Sequence, residues 1–292
     1  MDDNKVGYRL IPYIINTIDY RNSSHGVRVI HKLCHLLRKA GIEAYVTSKV
    51  LNNKGWDTPT LFDKQDKIRK LILDGAIVVY PEVWNNLLYS KNPISWRLLP
   101  DSSSMIEEVY VYHQSFDPTK KLFYIEDFEH DLFNTDHVGK RSGAAFYIGK
   151  GYQWQENVNE YYKEFEKYSG KKYQITRDYQ EPKKSWPYKR KDLAKLLKSV
   201  EVLYIADPSS QIMGEARFCG CPVVYIGKTI PEWCTNINYP EGFTTENTKE
   251  SIDKATEGIV QFKEKYQKRE EGQQKVFNDF LHFSQTYARG RV

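Results

Sequence analysis

The sequence predicts an α/β protein with two doubly wound parallel sheets. Short apolar runs alternate with amphipathic helical patterns along most of the chain, and the alternation restarts after a polar stretch at 134–143. The 292 residues suffice for two domains, each with its own core. A composition of 40% hydrophobic and 28% charged residues is typical of a globular chain and excludes a disordered one.

The first predicted domain covers residues 1–138. Its elements are predicted strands at 8–15, 42–46, 76–80, 109–112 and 122–125, and predicted helices at 27–40 and 64–73. Gly41 ends the first helix, because glycine takes the left-handed conformation that closes many helices. Gly26 stands at the start of that helix, where a missing side chain lets a ligand approach the backbone. We expect Gly26 to face the phosphate of a bound ligand at the end of the preceding strand.

The second predicted domain covers residues 139–270. Its elements are predicted strands at 144–148, 173–176, 202–205 and 223–226, and predicted helices at 156–168 and 191–198. Residues 248–287 follow a helical pattern almost without interruption. Residues 271–292 are therefore predicted to form a separate C-terminal helix.

Charge and cysteine content restrict the class of protein. The net charge of +5 is mild and favours anionic ligands or an anionic surface. Four cysteines, Cys34, Cys219, Cys221 and Cys234, predict neither a disulfide framework nor a zinc site at their spacing. The apolar run at 10–15 is too short for a signal or a membrane span. These features predict a cytoplasmic protein.

The most informative stretch is 206–224, which reads as a loop and a helix between two strands. Asp207 and Glu215 bracket the turn into the helix and are separated by seven residues. A helix start near Ser209 and Ser210 offers free backbone N–H groups to an anion. A carboxylate two turns further along can accept hydrogen bonds from sugar hydroxyls. The combination suits a nucleotide-diphosphate sugar.

This stretch resembles the donor-binding signature of retaining GT-B glycosyltransferases of the family-four type, in which two glutamates are separated by seven residues. Glu215 with Ala216, and the Cys-Gly-Cys-Pro-Val-Val run at 219–224, match that signature. The first acid is Asp207 instead of glutamate, and the residues between the acids are not glycine-rich. The resemblance implies two Rossmann-like domains with a cleft between them, and a last helix that returns to the first domain.

The resemblance also implies roles for the residues at the donor. Lys150, in Gly-Lys-Gly after strand 144–148, would neutralise the leaving diphosphate together with the helix start. Glu215 would orient the ribose and Asp207 the donor sugar. Because Glu215 would face the crevice, its replacement by Ala is expected to weaken the donor with little effect on folding.

Three further residues lie at the ends of predicted strands. His113 would contact the transferred sugar or the acceptor, and Thr176 and Arg177 would flank the base or the phosphate. Thr176 and Arg177 are equally well interpreted as structural strand-end residues. Arg177, or else Arg141, would replace a second basic residue of the family that has no match here. Glu82 is a weaker candidate on the acceptor side.

The function implied is transfer of a sugar from a nucleotide-diphosphate donor, UDP-sugar above all, to a hydroxyl acceptor with retention of configuration. No cofactor and no metal are expected beyond the donor. The acceptor expected is a bacterial surface glycan or lipid-linked oligosaccharide, and the mild positive charge suits a peripheral membrane contact at the inner face. The acidic cluster at 126–131 lacks a clean Asp-x-Asp spacing and is interpreted as a solvated or acceptor-facing loop.

Two alternatives stay open. The basic stretches Lys183-Lys184 and 189–191, interleaved with Trp186 and Tyr188, could track phosphates, as in a phage-type enzyme that glycosylates DNA bases. Nucleic acid is not favoured, because such residues are commonly a solvated helix start. A catalytically weak GT-B-like binding subunit is the second alternative, supported by Asp207 in place of glutamate.

Overall fold

The computed structural model describes residues 10–52, 54–99, 104–149, 159–177, 182–227 and 241–291. The chain divides into two compact units, one of Met1–Asp127 with Gly272–Val292 and one of Phe128–Glu271. The division falls before the predicted boundary at residue 138, and the C-terminal residues belong to the first unit.

The first unit is built on a six-stranded parallel sheet in the order β2-β1-β3-β4-β5-β6. The strands are β1 (Tyr13–Ile15), β2 (Ala44–Val46), β3 (Ile77–Pro81), β4 (Asn92–Arg97), β5 (Val109–Val111) and β6 (Lys121–Leu122). Helices α1 (His25–Lys39) and α2 (Gln65–Leu73) follow β1 and β2. Buried apolar clusters lie on both faces, as a doubly wound sheet requires.

Strand β4 is missing from the sequence prediction because it begins with Asn-Pro. Proline has no N–H for a sheet ladder and argues against a central strand. In the structure Pro93 pairs with Val78 of β3, whereas pairing with β5 begins only at Ser95. The proline thus lies at the strand start, before β4 has neighbours on both sides.

The last helix of the chain completes the core of the first unit. It runs over Ile259–Arg289 and is labelled α7 here. The ring of Phe280 stacks on Phe123, with centroids 4.0 Å apart. Ser284 lies 2.7 Å from the Tyr13 hydroxyl, and the Gln285 amide bonds both the N–H and the carbonyl of Ile11. These contacts bury the start of β1 beneath the helix.

The second unit is built on a five-stranded parallel sheet in the order β11-β10-β9-β7-β8. The strands are β7 (Ala144–Tyr147), β8 (Lys172–Ile175), β9 (Val202–Ile205), β10 (Val223–Tyr225) and β11 (Phe243–Thr244). The helices are α3 (Asn159–Glu166), α4 (Arg190–Ser199), α5 (Ile212–Phe218) and α6 (Lys249–Glu257). Buried side chains alternate between the two faces of the sheet.

A buried ion network surrounds Asp127, the residue at which the first stretch of the first unit ends. The Arg28 guanidinium is 1% exposed and donates to Asp127 Oδ2 at 2.8 Å. Lys32 and Lys54 also reach the Asp127 carboxylate, at 3.5 and 3.3 Å. Burial alone would raise the pKa of Asp127, but the three cations outweigh it and lower that pKa to about 2. The acidic cluster is therefore not simply a solvated loop, because Asp127 is buried among cations.

We predict that Asp127→Asn lowers the free energy of unfolding by about 3–5 kcal/mol at neutral pH, because it leaves a buried guanidinium without its charge partner. Asp127 has a folded pKa below the unfolded value of about 3.9. Its contribution is therefore complete above pH ~4 and is lost as the pH falls toward 2. Denaturant unfolding at several pH values measures both effects.

Asp57→Asn is the matched control, because Asp57 pairs with Arg38 at the surface, with side chains 55% and 33% exposed. Such a pair contributes less than about 1 kcal/mol. Equal costs for the two substitutions would contradict a buried network at Asp127.

Candidate functional site

The strand order of the second sheet sets the position of the candidate site. Strand β7 is hydrogen-bonded to β8 on one side and to β9 on the other. Connections from β7 and β9 therefore leave the sheet in opposite directions, which opens a crevice at their carboxyl ends where α/β proteins bind ligands. Gly149 follows β7, and Asp207 follows β9.

Gly149 and Asp207 are in direct contact at this point. A Cβ atom at position 149 would lie 2.5 Å from Asp207 Oδ2 and 2.7 Å from Asp207 Cβ. The φ angle of Gly149 is 55°, in the left-handed region that favours glycine. Both observations require glycine here. The first residue of the predicted acid pair thus lies against the backbone of Gly149.

Asp207 also organises the loop that follows it. Its Oδ1 atom accepts hydrogen bonds from the Ser209 N–H at 3.1 Å and the Ser209 hydroxyl at 2.8 Å. The Ser210 N–H donates to the Asp207 carbonyl at 3.3 Å. Helix α5 begins two residues later, at Ile212, without a side-chain cap. The predicted phosphate residues Ser209 and Ser210 are therefore held by the aspartate at the carboxyl edge of the sheet.

Glu215 lies one turn into α5 and is paired with an arginine. Its Oε1 atom accepts a hydrogen bond from Arg190 Nη2 at 2.7 Å, and the Glu215 side chain is 3% exposed. Arg190 is the first residue of α4, and its Nε donates to Glu129. The guanidinium also lies over the Phe133 ring, 4.7 Å from its centroid. No other hydrogen bond to the Glu215 carboxylate comes from the residues that the structure describes.

Arg190 keeps its positive charge in the fold. Burial disfavours the charged form of Arg190, but the carboxylates of Glu215 and Glu129 outweigh it and raise its pKa. We therefore expect Glu215→Ala to destabilise the fold as well, contrary to the expectation from the sequence, because it removes one partner of the Arg190 guanidinium, whose side chain is only 12% exposed.

Thr176 and Arg177 follow β8 at the same edge and form contacts with the segment before α4. The Thr176 N–H donates to the Trp186 carbonyl at 2.8 Å, and the Trp186 N–H donates to Thr176 Oγ1 at 2.9 Å. Arg177 Nη1 donates to the carbonyls of Thr176 and Pro187. These contacts favour the structural interpretation of both residues. Their role toward a nucleotide stays a prediction.

Gly26 and His113 lie in the first unit, at the carboxyl edge of its own sheet. Gly26 is the second residue of α1, and a Cβ atom there would lie 3.4 Å from Leu98 Cδ1. His113 Nδ1 accepts a hydrogen bond from the Ser115 N–H at 3.2 Å. A neutral imidazole with that acceptor carries its proton on Nε2. Glu82 is buried and accepts a bond from the Leu98 N–H, so it holds a strand end.

Several predicted features concern residues with other partners or with no described position. Lys150 and Cys234 lie outside the described residues. Arg141 donates to the carbonyls of Leu197, Val200 and Cys219 and so joins α4 to α5. Cys219 and Cys221 are buried free thiols, and burial raises the pKa of each to about 12.

The described part of the chain contains neither a candidate metal site nor a candidate membrane span. In that part of the chain no group of three or more His, Cys, Asp or Glu side chains is placed to hold a metal ion. None of its helices combines the length and the apolar character that crossing a bilayer demands.

Arg190 is the site residue that sequence reasoning missed. In the sequence it belongs to the basic run at 189–191, which is interpreted above as a solvated surface or a phosphate track. A signal was present, since Arg190 shares helical spacing with Leu193, Ala194 and Leu197, which are all buried. Its face of α4 therefore points inward, while Lys189 and Lys191 are exposed.

The comparisons with known proteins bear on the fold. No family model and no curated protein matches the sequence. Among solved structures the chain is similar to a sucrose-phosphate synthase from Thermosynechococcus elongatus, with a TM-score of 0.50 and 10% sequence identity. The match covers 96% of this chain and 94% of that chain. The chain thus has the GT-B fold of two Rossmann-like parallel-sheet domains.

We predict that Gly149→Ala destabilises the protein more than Gly41→Ala does. Both glycines have positive φ, but a Cβ atom at position 41 would meet nothing within 4 Å, so Gly41→Ala isolates the backbone cost. That cost is about 1–2 kcal/mol. Crowding against Asp207 should add about 1–3 kcal/mol at position 149. Urea unfolding of the two variants measures the difference, and equal costs would rule out the close approach.

Proposed function

We propose that the protein is a glycosyltransferase that takes a sugar from a nucleotide-diphosphate donor, with the donor at the carboxyl edge of the second sheet. This proposal is supported above all by the contact of Asp207 with Gly149, at the point where the connections from β7 and β9 run in opposite directions. This contact brings the first acid of the proposed donor signature to the backbone of Gly149, in a chain with the GT-B fold. Fold likeness alone does not define an activity, whereas this contact lies at the sheet edge where α/β proteins bind ligands.

The diphosphate is proposed to lie at the loop of residues 208–210. Asp207 holds this loop through Ser209, and α5 begins directly after it, with the Ile212 N–H 3.4 Å from Ser210 Oγ. Backbone N–H groups at such a position stabilise negative charge that develops on a leaving group. Lys150, proposed from the sequence, would add a cation to the same strand end. Asp207 is proposed as the acid nearest to the donor sugar.

Glu215 is proposed to bind the ribose, and Arg190 to position Glu215. One carboxylate oxygen of Glu215 is held by Arg190, while the other accepts no hydrogen bond from a described residue. A carboxylate oxygen without a donor suits the hydroxyl of a ribose. Because Glu129 shares the charge of Arg190, this arginine is an orienting group rather than a phosphate ligand.

The remaining assignments are proposals from the sequence. The donor is proposed to be a UDP-sugar and the outcome retention, with a surface glycan or lipid-linked oligosaccharide as acceptor in the cytoplasm. His113, with its proton on Nε2, is proposed to donate a hydrogen bond to a sugar or acceptor oxygen. Gly26 is proposed to leave room for the donor phosphate.

We predict that UDP-sugars raise the melting temperature of the protein and that Glu215→Gln reduces this shift. Glutamine keeps the shape and an oxygen for Arg190, so the fold should survive. Loss of a charged hydrogen bond to the ribose should weaken binding by about 1.5–3 kcal/mol. A thermal-shift titration with UDP-sugars and with UDP measures it, since a ligand of the folded state raises its stability.

Glu250→Gln, an exposed change in α6, is the control and should bind like the wild type. Absence of any shift with nucleotide sugars would contradict the donor site. An unchanged affinity in Glu215→Gln would contradict only the ribose contact. Measured release of UDP, with and without acceptor, separates an enzyme from a binding subunit.

We predict that UDP release continues in excess EDTA. Of the acids that suggested a metal, Asp127 pairs with Arg28 and Glu129 with Arg190. Charge on the leaving diphosphate is therefore proposed to be stabilised by Lys150 and backbone N–H groups. Loss of activity on chelation, with recovery on added Mn²⁺, would refute this assignment.

A further inference from the structure

The positive charge of the chain is concentrated in one segment. Residues 171–191 contain eight basic and two acidic residues, so the net charge of this segment exceeds the +5 of the whole chain. Such asymmetry is typical of a protein that meets an extended anionic partner. The described part of the segment consists of β8 with its flanks, a short 3-10 turn at Pro182–Lys184 and the start of α4.

Two aromatic side chains project from the same segment. Trp186 is 46% exposed and Tyr188 is 54% exposed. Ser185, which precedes Trp186, and Pro187, which lies between the two aromatic residues, are buried. The Trp186 ring lies parallel to that of Tyr173 on β8, with centroids 6.4 Å apart and an angle of 8° between the planes. The bridge between Trp186 and Thr176 holds the backbone in place. The indole is thus presented on an ordered support and not on a loose loop.

The exposed cations around these rings are lysines. Lys183, Lys189 and Lys191 are exposed and form no ion pair with any described residue. The two arginines of the segment are engaged, Arg190 with Glu215 and Glu129, and Arg177 with backbone carbonyls. Arginine recognises phosphates and base edges through two parallel hydrogen bonds from its guanidinium group. In this segment both guanidinium groups bind other parts of the protein instead.

We propose that this surface, formed by Lys183, Trp186, Tyr188, Lys189 and Lys191, docks the protein on an anionic lipid bilayer. Lysine ammonium groups respond to the diffuse negative potential of acidic headgroups without fixed geometry. Tryptophan and tyrosine sit at the headgroup level, with the ring in apolar surroundings and the polar tip hydrated. The proposal goes beyond the proposed function and does not depend on it.

The test is cosedimentation of the full chain with vesicles of phosphatidylcholine alone or with added phosphatidylserine. We expect binding to the vesicles that contain phosphatidylserine, and weaker binding as salt rises. Replacing Lys183, Lys189 and Lys191 together by Ala should reduce the partition coefficient on the order of a hundredfold, since each lysine near such a surface contributes about fivefold.

The control variant replaces Lys249, Lys254 and Lys268, which are exposed on α6 and α7 in the second unit, by Ala. It has the same net charge as the test variant and should bind vesicles nearly as the wild type does. Trp186→Ala should weaken binding at high salt as well, because salt does not screen an apolar contact. Melting curves of all variants establish that each is folded.

Three results would overturn the proposal. The first is a wild type that does not distinguish the two kinds of vesicle. The second is equal loss of binding in the test and control variants. The third is preferential binding of DNA, with a steep salt dependence that the test variant abolishes, which would assign the surface to nucleic acid.

Discussion

The arrangement of the second domain depends on one constraint, the parallel pairing of β7 with both β8 and β9. Because the strands point the same way, every loop that follows a strand emerges at one edge. Strands β7 and β9 are neighbours, so the residues that follow them lie close together at this edge. The next strands in the chain, β8 and β10, lie on opposite sides of this pair, so the two connections run in opposite directions. The approach is close enough that Gly149 has no room for a side chain beside Asp207.

An arginine that is largely shielded from solvent pairs with carboxylates in each domain. Arg28 near the start of α1 pairs with Asp127, and Arg190 at the start of α4 pairs with Glu129 and Glu215. Asp127 and Glu129 are almost adjacent in the chain and lie on either side of the division between the units. The segment at this division is thus held by ion pairs within each unit. This gives the acidic cluster a structural purpose.

The two acids of the proposed donor signature also have structural roles within the protein. Both acids are buried, and each already has protein partners: Ser209 for Asp207 and Arg190 for Glu215. Their first effect is to fix the loop at 208–210 and the start of α5. Direct contact with a nucleotide sugar would add to that effect, through the oxygen of Glu215 that Arg190 does not occupy. A neutral amide is therefore a more informative replacement at 215 than alanine.

The sequence by itself determined the alternation of strands and helices, the parallel sheets and the two-domain fold, since these follow from local hydrophobic periodicity. It placed α2 and β9 almost to the residue, because apolar spacing defines such elements without tertiary help. Strand β4 was not predicted from the sequence. Only the three-dimensional pairing shows that Pro93 lies before the part of β4 that is paired with β5 as well as β3. The turning of Arg190 inward, toward acids 25 and 61 residues away in the chain, was likewise decided by tertiary structure. The spacing of Arg190 with Leu193 and Leu197 indicates its inward face, but its acidic partners leave no local pattern, because a distant carboxylate alone resembles any solvated charge.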